Sequence, residues 1–158
     1  MTTVLRWTGM GKLVSFYRYF AFNGPRLTTA LGIVLLLGIA AIRLYWLAGG
    51  FPLPAYLVAS VGLLLSAALL AAVCMVLGRR PGLVRFGWAL GAVVSAVSSA
   101  TYLASRTVGL PGLPQLVDRW DYALGTFAIA LAALFVALHF SVVTGMNVAY
   151  PHQRHWHD

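Results

Sequence analysis

Polar and apolar positions along this chain do not alternate with the short periods of a half-buried helix or strand; they come in long apolar runs separated by short polar breaks. The runs cover residues 27–47, 55–78, 86–105 and 122–145. Each reaches the ~20 residues needed to cross a hydrocarbon layer of ~30 Å. Lipid offers no hydrogen bonds, so an apolar run of that length must satisfy its own backbone and becomes a helix. The pattern predicts an all-α fold, a four-helix transmembrane bundle forming a single domain over residues 1–158.

Ahead of the first run, Leu13, Phe16, Tyr17 and Phe20 interleave with Lys12, Ser15 and Arg18. That spacing predicts an N-terminal amphipathic helix lying in the headgroup layer, within a basic segment over residues 1–26. It reads either as an ordinary basic flank or as a docking helix for a partner. Asn23-Gly24-Pro25 is expected to break it and turn the chain into the bilayer. The segment lacks the compact apolar run and small-residue cleavage site of a secretory signal.

Charge adds an orientation. The first 26 residues carry Arg6, Lys12, Arg18 and Arg26 and no acid, the loop at 48–54 carries no charge, and the next carries Arg79, Arg80 and Arg85. In the last loop Arg106 and Arg119 offset Asp118 and Asp121. The positive-inside bias then predicts an N-in/C-in topology in a bacterial cytoplasmic membrane. Lys12, Arg18, Arg26, Arg79, Arg80 and Arg85 are expected to face anionic headgroups. The net charge of +8 is accounted for at these flanks, so membrane lipids, not nucleic acid, are the expected partners.

Composition narrows the chemistry. With 61% apolar and 9% charged residues, lipid must be the solvent for most of the chain, leaving no room for a separate soluble domain. Cys74 is the single cysteine, which excludes an internal disulfide, a thiol redox pair and a cysteine-built metal site. The acids are Asp118, Asp121 and Asp158, all outside the spans. A small four-span proton-coupled exporter would need an intramembrane acid, and a quinone-linked thiol oxidoreductase would need cysteine pairs. No HExxH, P-loop or GxSxG is present, so no enzyme is expected.

Several groups remain as candidate sites. In the third span Gly87, Gly91, Ser95 and Ser99 form a ridge of small residues that lets a helix approach closely. Ser98, Tyr102 and Ser105 form a polar stripe toward its outer end. In the fourth span Asp121, Gly125, Ala128, Ala132 and His139 share a face, and the two faces are expected to meet. Packing within the bundle is the plain reading; a polar substrate path is the other. His139 is the one histidine in a span. It is a candidate axial ligand for haem or chlorophyll, though no other span supplies a second histidine; a neutral imidazole bonded to a neighbouring helix is the alternative. In the tail at 146–158, His152, His155 and His157 with Asp158 have the donors for zinc or copper, or form a plain cytoplasmic tail held against a partner. Arg43 is expected to snorkel to the outer headgroups beside Tyr45 and Trp46, or to pair with Asp118 or Asp121. The loop at 106–121 holds two prolines and two glycines among Leu110, Leu113, Leu116 and Val117. It predicts a compact cap, with Asp118 or Asp121 pairing Arg106 or Arg119 across it.

The run Tyr102-Leu103-Ala104-Ser105-Arg106-Thr107-Val108-Gly109-Leu110-Pro111-Gly112 resembles a segment of small four-span membrane proteins of high-GC bacteria. The resemblance covers about a dozen residues and brings no activity. It implies that the cap is a shared structural or recognition element.

The expected function is a non-catalytic accessory subunit of a larger membrane complex, such as a respiratory or photosynthetic one. A small homodimeric transporter or lipid flippase, paired through the Gly87–Ser99 ridge and lined by Ser95, Ser98 and Tyr102, is the alternative. A cofactor-binding subunit using His139 is the third. No particular cofactor follows from the residues.

Overall fold

The computed structural model describes residues 10–50, 53–77, 80–147 and 149, with side chains from residue 24 onward except Gln115. Four long helices make up the fold: α1 (Met10–Ala48), α2 (Ala55–Leu77), α3 (Pro81–Thr107) and α4 (Ala123–Val143). Each is long and apolar enough to cross a membrane, α1 through its Gly24–Ala48 portion. No strand occurs among the described residues. Sequence neighbours pack against each other and α1 closes onto α4, giving a four-membered ring.

Two boundaries differ from the sequence expectation. The helix does not break at Asn23-Gly24-Pro25; α1 runs through Pro25 without interruption. A proline removes one backbone donor, a loss that a helix entering lipid tolerates. The carbonyl left without its usual donor is that of Ala21, and just beyond the proline the Thr28 hydroxyl donates to the Gly24 carbonyl (2.9 Å) and Thr29 to that of Pro25 (3.0 Å), bracing the following turn. The other is the start of α3, five residues before the expected 86, because Pro81 occupies the first turn, where its missing N–H is no loss. Arg85 thus rides inside the helix. The side chains of Lys12 and Arg18, all of Arg79, and His152, His155 and His157 lie outside the described residues.

Lipid cannot press apolar helices together as water does, so association rests on close packing. Glycine supplies it. A Cβ on Gly87 would stand 2.9 Å from the Ala71 carbonyl oxygen, which means that the α2 and α3 backbones touch there. A Cβ on Gly91 would meet the Phe135 ring at 2.5 Å and Leu36 at 3.2 Å. Phe135, Leu36, Val94 and Ser95 are wholly enclosed at mid-bundle. Trp88 stacks on Phe135 with ring centres 5.4 Å apart. The small-residue ridge of α3 is therefore consumed inside the chain's own bundle, since Gly87, Gly91 and Ser95 are all buried and Ser99 is half-buried.

Candidate functional site: a blind cavity lined by arginine

Above the plug of Leu36, Val94 and Phe135, the four helices part around a partly open cavity of about 640 Å³. That lies within the ~300–1,000 Å³ typical of small-molecule sites. Its lowest lining residues are Ile39, Leu64, Ser98 and Ile129, each near the middle of its membrane-spanning segment. The cavity thus runs from the α3–α4 loop to mid-bundle.

The loop roofs it. Gly109, at φ +84°, ends α3 in a conformation that side chains resist. Leu110-Pro111-Gly112-Leu113 then forms a tight turn closed by the Leu113 N–H on the Leu110 carbonyl (2.9 Å), with Gly112 at φ +83°. Proline followed by a positive-φ glycine is the chemistry of a type II turn. Leu110, Leu113 and Leu116 turn down into the cavity. From α2, the Tyr56 hydroxyl donates to the Pro111 carbonyl (2.6 Å) and ties the turn to the bundle. Tyr56→Phe is expected to cost about 1 kcal/mol. Faster backbone hydrogen exchange over residues 109–113, with the four helices unchanged, would show it.

Arg106 joins roof and wall. Its backbone carbonyl accepts the Asp118 N–H (3.0 Å), and its Nη1 donates to the Leu116 carbonyl (3.0 Å). The guanidinium lies over the Tyr102 ring, 5.1 Å from its centre, a cation–π contact. Arg106 is only 4% exposed, and its Nε is enclosed without a partner. The ion pairs expected across the loop do not form. Among the described residues, neither Asp118 nor Asp121 is within ion-pairing distance of Arg106 or Arg119. The reason is layering: Asp118, Arg119 and Asp121 stay exposed while Arg106 is buried inward. Asp118 spends its backbone on the loop, at φ 61°.

Arg43 is the larger surprise. Instead of reaching outward to headgroups, it turns into the bundle and donates through Nη2 to the Ser98 hydroxyl on α3. Ser98 in turn donates to the Val94 carbonyl. The Nε of Arg43 is enclosed and has no partner, and neither does the Tyr102 hydroxyl. The glycine face of α4 makes room for that tyrosine, because a Cβ on Gly125 would collide with the Tyr102 ring. Trp46 packs edge-on against Tyr122 (5.6 Å) to form another wall.

Of the polar stripe on α3, Ser98, Tyr102 and Ser105 line the cavity together with Thr101. Ser95 lies below, sealed in the plug, its hydroxyl without a partner. His139 is elsewhere, half-buried on α4 with its ring 6.1 Å from that of Trp88 and its Nδ1 enclosed and unpartnered. It does not line the cavity. Among the described residues no three metal-binding side chains gather. Arg26, Arg80 and Arg85 lie at the opposite end of the bundle, all exposed. Ser60 and Thr101 line the cavity without having stood out in the sequence.

No family model, curated protein or solved structure matches this chain.

Proposed function

We propose that this protein is a small membrane carrier that takes an amphiphilic molecule into its cavity from the outer leaflet, in the manner of a transporter or lipid flippase. The cavity carries the reading. It ends at mid-bundle, and binding sites of membrane carriers lie near the bilayer midplane, open to one side at a time. Its floor is apolar and its walls carry hydroxyls and guanidinium groups. The cavity end is outside in this reading, because Arg26, Arg80 and Arg85 mark the opposite end as cytoplasmic, with the chain N-in/C-in in a bacterial inner membrane. Fluorescent lipids placed in one leaflet of vesicles should cross faster with the protein than without it. Ser60→Trp, which fills the cavity, should abolish the gain. Equal rates with and without protein would rule the carrier out.

One observation favours the accessory-subunit reading as a second. In α4 only 11% of the spanning window is buried, against 33% in α1 and α3. Phe127, Leu134 and Phe140 are all more than half exposed. A larger membrane subunit would find a wide apolar face there. Mild-detergent purification from native membranes should then yield large stoichiometric partners; a chain emerging alone removes this reading.

A further inference from the structure

We propose that the ligand of the cavity is an anionic amphiphile, a phosphate or carboxylate headgroup on an apolar chain, attracted by Arg43 and Arg106 at two levels of one wall. The inference rests on the cavity being a binding site and names what that site selects.

Charge balance is the first argument. The lining holds Arg43, Arg106 and Arg119 against the single acid Asp121. Asp121 is exposed and makes no ion pair with any of the three. Two guanidinium groups therefore sit in a largely apolar enclosure without a protein counter-ion. Intramembrane cations ordinarily pair with an acid or reach water, and those that do neither mark ligand sites.

Hydrogen-bond inventory is the second argument. A guanidinium only donates. One side-chain bond is made by each, Arg43 to Ser98 and Arg106 to the Leu116 carbonyl. The enclosed Nε of each remains unspent, as does the Tyr102 hydroxyl between α3 and α4. Unspent donors call for an acceptor-rich group. An ionised phosphate or carboxylate has several lone pairs, no protons to clash, and matches the planar fork of arginine.

Placement supplies the apolar half. Ser98 and Arg106 are two turns apart on one face of α3, ~12 Å along the axis, so Arg43 and Arg106 mark two levels of one wall. Beneath and beside them lie Ile39, Ile42, Leu57, Leu64 and Ile129. A free inorganic ion would leave that surface unfilled, whereas a chain attached to the anion would cover it.

The test uses the full chain purified in a maltoside detergent, with retained ligands counted by native mass spectrometry. The probes are phosphatidylglycerol, dodecyl phosphate, uncharged dioleoylglycerol and inorganic phosphate. Phosphatidylglycerol or dodecyl phosphate is expected to be retained about tenfold better than dioleoylglycerol, and Arg43→Gln to remove about that factor, as for a charge-assisted hydrogen bond lost. Arg43→Lys and Arg106→Lys, which keep the charge and lose the fork, should fall between. Retention of phosphatidylglycerol alone assigns the anion to lipid; retention of dodecyl phosphate alone assigns it to a soluble amphiphile. Equal retention of charged and uncharged probes, with Ser60→Trp still blocking both, would overturn the anion and leave the binding site. Inorganic phosphate binding as tightly as the amphiphiles would overturn the chain. Probe retention that survives Ser60→Trp unchanged would overturn both the inference and the cavity beneath it.

Discussion

Gly87→Ala is expected to destabilise the bundle by forcing two helix backbones apart. At most tight glycines the colliding atom is the end of a side chain: Phe135 at Gly91, Met75 and Trp88 at Gly32, Leu131 at Gly38. A side-chain end can shift where it has room, although the Phe135 ring is itself fully enclosed. At Gly87 the new carbon meets the Ala71 carbonyl oxygen at 2.9 Å, with Met75 Cγ at 2.9 Å and Cys74 Cβ at 3.1 Å behind it. A carbonyl already serving the α2 helix cannot turn away, so α2 and α3 must separate along their length. Overpacking of this kind costs ~1–3 kcal/mol. In lipid no hydrophobic force draws the helices back. Thermal unfolding in detergent should show a clearly lower midpoint for Gly87→Ala than for Gly82→Ala, whose added methyl meets nothing within 4 Å. Equal midpoints would mean that the two helices do not touch there.

Arg43→Met should do the opposite to stability while damaging the site. The guanidinium is drawn into an apolar wall, with one bond to Ser98 and an enclosed Nε that makes none. Replacing a buried ion pair by apolar side chains is often neutral or stabilises a protein by ~1–4 kcal/mol, and a half-buried guanidinium without an acid partner should gain toward the lower end. Ser98 would not be stranded, because its hydroxyl already donates to the Val94 carbonyl. The expected result is a raised unfolding midpoint together with loss of anionic-amphiphile retention. A lowered midpoint would show that Arg43 is a structural tie between α1 and α3. The pairing of gain and loss is what a site held ready at the expense of stability produces.

How far the chain could be read follows from what lipid does to patterns. Four spans were legible because length and apolarity alone make a membrane helix. Which side of each span faces inward was not. Leu36, Ile39 and Ala40 follow one another on the buried face of α1, with half-buried Arg43 one turn on, yet Val34, Leu37 and Leu44 on other faces are just as apolar. A helix apolar all round carries no hydrophobic direction, so Arg43 could be placed in depth but not in rotation. Depth alone suggested snorkelling. Pro25 sits inside α1 for a related reason: the helix-breaking effect of proline is strongest in water, where freed carbonyls have other partners. On α3 the glycines and hydroxyls gave a direction that survives in lipid. Gly87, Gly91, Ser98 and Tyr102 all point where small and polar residues serve a purpose, to packing or to the cavity. The loop was legible as a compact unit from its glycines and prolines, but not the inward turn of Arg106, which depends on the Leu116 carbonyl being brought round by the turn at Pro111-Gly112.

The bond from Arg43 to Ser98 joins residues 55 positions apart, and that separation sets an order of assembly. Ribosomal synthesis delivers the arginine to the membrane while the helix bearing its partner has yet to be made. Until then the guanidinium has the headgroup layer to turn to, and its place near the end of α1 lets it reach that layer. Its swing inward waits for α3. The cavity is thus a late product of biogenesis, complete only when α3, the loop after it and α4 have followed α1 into the membrane.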